Sequence, residues 1–282
     1  PFGVMIDQDG DYLAQKYHIS YANSLYEYSN LAIEQSFVIF DRYGELNSRQ
    51  EAEKALKRWN PKLVVFGDID YEKATNNLPY RLNLSERGYG ERILNLKWSK
   101  NEIDWIKSVF KNELVYSSNQ ATETNLKDLD FSGIDYLHFS THGISSYQDY
   151  SNSSLLLAPD SMNDGFLSYK EVLNLDLKDI ELVFLSACDT NIGKNFRNIN
   201  ALSLQSAFKS VGVNSVISTL WPIDDEGAAE FAKIFYKFLS IGKDPNGALQ
   251  ITKQFFIHKN SSINPKYRNP YYWAAFVNYG GG

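Results

Sequence analysis

The 282-residue sequence has a single cysteine, Cys188. A lone thiol excludes an internal disulfide framework and fits a reducing compartment. No apolar run approaches the roughly 20 residues that span a bilayer, so a membrane is not an expected partner. No basic-then-apolar leader opens the chain, and the expected location is the cytoplasm. The chain begins at Pro1 rather than Met, the mark of a fragment or a processed product. Lys and Arg number 28 against 34 Asp and Glu, a net charge of −6. With no basic block, direct nucleic-acid binding finds no support, and a basic partner is mildly favoured. One cysteine and four scattered histidines make no metal-ligand cluster. A flavodoxin-like nucleotide binder would need a glycine-rich phosphate loop, and none is present. No cofactor is expected. Repeats, low-complexity tracts and Pro/Gly/Ser linkers are also missing.

What is present is the composition of a globular protein: 43% hydrophobic and 22% charged residues. Five short apolar runs read as buried strands: "SFVIF" (36–40), "KLVVFG" (62–67), "IDYLHFS" (134–140), "ELVFLSA" (181–187) and "VNSVISTLW" (213–221). They are continuous rather than alternating, as parallel strands covered on both faces require. Helical segments lie between them. Ser48-x-x-Glu51, Ser99-x-x-Glu102 and Ser168-x-x-Glu171 each fit a capping box. Ile103, Ile106 and Phe110 recur at helical spacing beside Val109. Residues 200–211, 226–241 and 246–257 also read as helices. Strands alternating with helices predict an α/β layered fold around a mainly parallel sheet. The early "GDYLAQKYHISYANSL" alternates and predicts an antiparallel hairpin at the sheet edge. Segment 68–97 is long and polar for a connection, and reads as an excursion that contacts a partner or lies near the cleft.

In such folds chemistry gathers at the carboxyl ends of the strands. Strand 134–140 ends in "THG", strand 181–187 in "ACDT" and strand 213–221 in "WPIDDE". If these strands are parallel neighbours, His142, Cys188 and the pair Asp224/Asp225 share one edge. A thiol attacks as a thiolate, and a nearby imidazole can take its proton and return it to a leaving amine. His142 and Cys188 are 46 residues apart (188 − 142), a spacing that suits two strands joined by a crossover. Gly143 lacks a Cβ, so its N–H can approach a substrate carbonyl closely, and the Cys188 N–H is a second donor for the oxyanion. Blander roles compete. Free cysteine is commonly buried and inert. A histidine before glycine can simply cap a turn. His138, between Leu137 and Phe139, reads as core. Asp225 could serve only as the N-cap of the helix starting near Glu226.

Several stretches taken together resemble the CHAT domain, a caspase-like and separase-like cysteine-peptidase domain often fused to tetratricopeptide repeats. They are "YLHFSTHG", "SSLLLAPD", "DGFLSYKEVLNLDLKDIELVFLSACDT", "SAFKSVGVNSVISTLWPIDDEGAAEFAKIFYKFL" and "NPYYWAAFVNYG". The opening "YLAQKYHISYANSL" also resembles the start of such domains. The resemblance covers nearly the whole chain, with the motifs in order. It implies one domain over 1–282, with an N-terminal part (1–120) and a catalytic half (121–282). The implied fold is a caspase-like three-layer α/β/α sandwich. It implies His142 as general base, Cys188 as nucleophile, and Gly143 with the Cys188 amide as the oxyanion hole. "STLWPIDD" matches the strand and loop lining the primary specificity pocket, where an acidic residue receives a basic P1 side chain in separase-like members. Asp225 is the best match, then Asp224. Trp221 walls the adjacent subsite or belongs to the core. A carboxylate in a partly buried pocket pairs well with a guanidinium.

The implied activity is endopeptidase cleavage of a protein substrate after Arg or Lys, in regulation or defence, switched by an attached or associated sensor. The chain departs from the family after "SACDTN", where a glycine-rich stretch is usual and "IGKNFRNINALSL" stands instead. Lys194 and Arg197 in that loop are candidate self-processing points, against an ordinary solvated loop. The competing function is a caspase-like scaffold without catalysis.

Overall fold

In the computed structural model, residues 4–6, 10–16, 60–76, 93–144, 153–186, 201–258 and 261–280 are described. Four of the five apolar runs become strands. In chain order these and their neighbours are β1 (Leu63–Gly67), β2 (Glu113–Ser117), β3 (Tyr136–Ser140), β4 (His142–Ile144), β5 (Ser154–Leu156), β6 (Phe166–Ser168), β7 (Leu182–Leu185), β8 (Ser215–Thr219) and β9 (Phe276–Gly280). The run at 36–40 lies outside the described residues. The helices are α1 (Leu13–Lys16), α2 (Tyr71–Asn76), α3 (Ser99–Val109), α4 (Glu123–Lys127), α5 (Tyr169–Val172), α6 (Ala201–Ser210), α7 (Asp225–Ser240), α8 (Pro245–Ile257) and α9 (Pro270–Trp273).

Six strands form one sheet in the order β2-β1-β3-β7-β8-β9. All pairs in it are parallel except β8 with β9. Side chains alternate between its faces. Val64, Phe66, Leu137, Phe139, Val183 and Leu185 face one core, which Phe208 of α6 and the small antiparallel sheet β4-β5-β6 close through Leu155 and Phe166. Leu63, Val65, Tyr136, Leu182, Phe184 and Ile217 face the other, closed by Ile106 of α3, Phe235 of α7 and Leu249 of α8. Both faces are thus covered, which is why β1, β3 and β8 are buried at every residue. The result is the three-layer α/β/α arrangement with a mainly parallel sheet. Burying each large apolar side chain stabilises it by about 1.5–3 kcal/mol.

Local readings divide. The helices expected at 200–211, 226–241 and 246–257 are α6, α7 and α8. The Ser168/Glu171 capping box forms: Ser168 Oγ accepts the Glu171 N–H and the Glu171 side chain accepts the Ser168 N–H. The Ser99/Glu102 box does not. Ser99 is already inside α3, and its N-cap, Trp98, makes no side-chain cap. The Ser99 hydroxyl donates instead to the Ser140 carbonyl at 3.0 Å, and Glu102 turns into the interior. Ser48 and Glu51 lie outside the described residues. Of the segment expected as an edge hairpin, 10–25, residues 17–25 lie outside the described residues. An antiparallel bridge links Ile6 to Tyr12, but Leu13–Lys16 is helical. Its Ala14 is buried in the core that includes α8.

A buried charge cluster ties α4 to α5. The Glu123 side chain is fully buried; it accepts the Gly165 N–H at 2.8 Å and the Lys127 ammonium at 2.8 Å. Lys127 also donates to Glu171 at 2.9 Å. Burial pushes Glu123 up to about 7, which the lysine only partly offsets. For Glu171 burial pulls upward too, but the Ser168 hydroxyl and N–H and Lys127 win, and it falls to about 2. Lys127→Met leaves two carboxyls facing each other without a cation. It is expected to cost about 3 kcal/mol, read from the urea midpoint at neutral pH. A change below about 0.5 kcal/mol would show that the cluster contributes no net stability.

Candidate active site

The carboxyl ends of β1, β3, β7 and β8 lie along one edge of the sheet. The chain leaves β3 at Ser140, and after Thr141 it enters the second sheet at His142. The strand therefore does not stop on His-Gly. His142 and Gly143 open β4, opposite Leu156 and Leu155 of β5.

His142 is only 2% exposed. Its Nε2 lies 2.7 Å from the Leu94 carbonyl oxygen. A carbonyl can only accept, so Nε2 carries a proton and, in the neutral ring, Nδ1 holds a free lone pair. Nδ1 has no hydrogen-bond partner among the described residues. The His142 N–H donates to the Tyr71 hydroxyl at 3.1 Å, which itself donates to the Leu156 carbonyl at 2.9 Å. The Tyr71 and His142 rings sit 4.6 Å apart. Burial depresses the imidazole to about 4, and the Leu94 carbonyl opposes this only in part. At neutral pH the ring is an uncharged base. Burial also lifts the Tyr71 phenol far above its ordinary range, so it stays a hydroxyl. Tyr71 and Leu94 both belong to the segment 68–97, whose described parts, 68–76 and 93–97, thus reach His142. A cavity of about 310 Å³ is lined by Ile69, Asp70, Lys73, Ser118, Ala158 and Pro159 among others.

Cys188, Lys194 and Arg197 lie outside the described residues. The approach to Cys188 is described through Ser186. β3 and β7 pair Tyr136 with Leu182 and Phe139 with Leu185, a constant offset of 46 residues (182 − 136). His142 and Cys188 differ by the same number.

Beneath this edge sits a buried polar cluster. Glu102 of α3, 3% exposed, accepts the Ser140 hydroxyl at 2.7 Å and the Ser186 hydroxyl at 3.2 Å on the same oxygen, Oε2. Its Oε1 lies 3.3 Å from His138 Nε2. His138 is fully buried, with Nδ1 2.9 Å from the Tyr236 hydroxyl. His138 is core, as its neighbours predicted. β1 closes against the same point, since a Cβ on Gly67 would lie 2.7 Å from the Ser140 carbonyl.

The loop after β8 separates its two acids. Asp224 is the N-cap of α7, accepting the Gly227 N–H at 2.8 Å, and is exposed. The capping role weighed for Asp225 thus falls to its neighbour. Asp225 is half-buried, and its Oδ2 accepts the Trp98 N–H at 2.7 Å. Burial raises it to about 6, against the pull of that N–H. Trp221 is half-buried, packs against the α7 core and donates from Nε1 to the Tyr271 carbonyl at 2.9 Å.

Sequence reasoning missed Tyr71, Leu94 and Glu102. Leu94 acts through a backbone oxygen, which has no residue signal. Tyr71 stands in a stretch without periodicity. Glu102 carried a signal, but its position after Ser99 made it read as a cap.

Over residues 1–281 the chain matches the family described as the CHAT domain. No curated protein sequence matches it. Among solved structures, the complex of Porphyromonas gingivalis RgpB pro- and mature domains is similar at TM-score 0.43 and 11% identity, over 78% of this chain and 47% of that one. The Arg-specific cysteine proteinase gingipain R is similar at TM-score 0.40 and 10% identity, over 78% and 46%. The Saccharomyces cerevisiae separase–securin complex is similar at TM-score 0.40 and 15% identity, over 82% and 13%. The chain spans under half the length of each of these chains.

Proposed function

This chain belongs to the CHAT domain family, and on that premise we propose that it is a cysteine endopeptidase using His142 and Cys188. The observation that carries the reading is the β3–β7 register. β3 and β7 are adjacent parallel strands, and the chain runs from the end of β3 through Thr141 to His142 and from the end of β7 through Ser186 toward Cys188, which supports a meeting of the two groups at that edge. Neighbouring strands lie about 4.8 Å apart, within reach of a direct or water-bridged hydrogen bond between side chains.

In the proposed reaction the Cys188 sulfur attacks the scissile carbonyl as its proton passes to His142 Nδ1. The Leu94 carbonyl holds the ring in the tautomer that can accept it. The Gly143 and Cys188 N–H groups receive the developing oxyanion. His142 then protonates the leaving amine, and water hydrolyses the thioester with the same imidazole as base. Because the ring is buried and uncharged at neutral pH, it is free to take the thiol proton during attack. Asp225 is the carboxylate for a basic P1 side chain, with Trp221 beside it and Asp224 holding the start of α7. The proposed setting is a reducing compartment, the cytoplasm, with a protein substrate and a sensor, attached or associated, that switches the enzyme.

A map of bonds cut in a proteome treated with the protein or with Cys188→Ala tests this reading. Cuts after Arg or Lys that appear only with the unaltered protein are expected. Identical maps would overturn the peptidase reading, and Cys188-dependent cuts after Asp or apolar residues would overturn the P1 assignment.

A further inference from the structure

We propose that Glu102 is a positioning residue for the dyad: its Oε2 ties the ends of the two strands that carry the base and the nucleophile. The inference rests on the peptidase reading and goes beyond it, to what sets the distance between the two groups. Ser140 stands two residues before His142, and Ser186 two residues before Cys188. The Ser186 hydroxyl donates to Oε2 at 3.2 Å, and the Ser140 hydroxyl lies 2.7 Å from the same oxygen and 2.8 Å from Ser99 Oγ, its other acceptor. One acceptor shared by two adjacent strands fixes their spacing at the point where regular pairing ends. β3–β7 pairing stops at Phe139 and Leu185, one residue short of the two serines. Past that point no ladder joins the two strands among the described residues, and β4 has joined another sheet. The carboxyl therefore acts where the ladder gives out.

The rest of the segment strengthens the clamp. Ser99, on the same first turn of α3, donates to the Ser140 carbonyl and accepts the Asp68 N–H at 2.8 Å. Trp98 donates its N–H to Asp225. The Leu94 carbonyl holds His142. Residues 94–102 thus touch the base, the strand ends and the pocket acid together. The buried carboxyl meets the strand ends through Oε2 and faces His138 Nε2 at 3.3 Å through Oε1. Side chains held in place by a buried network are what keep reacting groups within the narrow geometry that turnover needs.

The test is the rate of Cys188 alkylation by iodoacetamide at neutral pH, followed by intact mass on the full chain. It needs no knowledge of the substrate. His142→Ala is expected to slow alkylation at least about tenfold, because the base no longer assists the thiol. Glu102→Ala is expected to slow it comparably. In the Glu102→Ala background, His142→Ala should then add less than about twofold, since a base already out of place has nothing left to lose. Glu102→Gln retains an oxygen that can accept both hydroxyls, and should restore the rate to within about threefold. If Glu102→Ala does not fold, Ser140→Ala and Ser186→Ala each remove one arm of the clamp, and each should slow alkylation by about 3–10-fold. Effects of Glu102→Ala and His142→Ala that simply multiply, or serine variants that both react at the unaltered rate, would overturn the proposal. Alkylation of the unaltered protein that ignores His142→Ala would remove the peptidase reading itself, and the clamp with it.

Discussion

Replacing His142 by alanine is expected to lower peptide turnover by about 10²–10⁴-fold, the contribution of a placed general base. Turnover against pH should carry the signature of its surroundings. The ring must be uncharged to accept the thiol proton. Burial holds its pKa near 4, below the ordinary 6.5, so on a peptide with a neutral P1 activity should persist as the pH falls from 7 to 5 and be lost through about 4. A loss centred near 6.5 would mean that the imidazole is solvated in the working enzyme. The same burial has a stability consequence. Unfolding lets the ring bind a proton at 6.5, which the folded state resists down to about 4. Its stabilising contribution is complete above pH 6.5 and is lost as the pH falls toward and through 4, by on the order of 3 kcal/mol. His142→Ala should remove that part of the acid sensitivity of unfolding.

The second large effect concerns Asp225. Asp225→Asn is expected to lower kcat/KM by about 10²–10³-fold for peptides with Arg at P1, the scale of losing a charge-assisted pair in a partly buried site. Peptides with a neutral P1 should change by less than about threefold. The amide oxygen of Asn can still accept the Trp98 N–H, so the contact between the loop and α3 survives the substitution. The pKa of about 6 adds a second readout. Only the ionised carboxylate attracts a cation, and it is ionised above that value. The preference for Arg over neutral P1 should therefore weaken as the pH falls through 6. Equal losses for charged and neutral substrates would show that Asp225 supports the loop rather than selecting the side chain.

How much of this was visible in the residues follows from the kind of signal each feature leaves. The central strands were legible because parallel strands covered on both faces must be continuously apolar, and "YLHFS", "LVFL" and "SVIST" are close to that limit. That these strands end along one edge of the sheet was legible from their continuous apolar runs. The 46-residue spacing of His142 and Cys188 read as a crossover, and the β3–β7 register shows the same offset. The move of His142 into a second sheet was not legible, because a three-residue strand such as "HGI" carries no period. The groups that hold His142 were hidden for a different reason. Leu94 works through a carbonyl that every residue has, and Tyr71 is recruited from a distant segment by the fold. Glu102 illustrates two local codes in conflict. Ser-x-x-Glu at a helix start favours a capping box, but hydroxyls at 2.7 Å and 3.2 Å from two strand ends compete for the same carboxyl and prevail.

The most direct measurement is covalent trapping with a peptidyl chloromethyl ketone bearing Arg at P1, read by intact mass and peptide mapping. The account predicts one adduct, on Cys188, that is lost in Cys188→Ala and slowed by at least about tenfold in His142→Ala. An adduct at another residue, or one that forms on Cys188 at the same rate without His142, would contradict it.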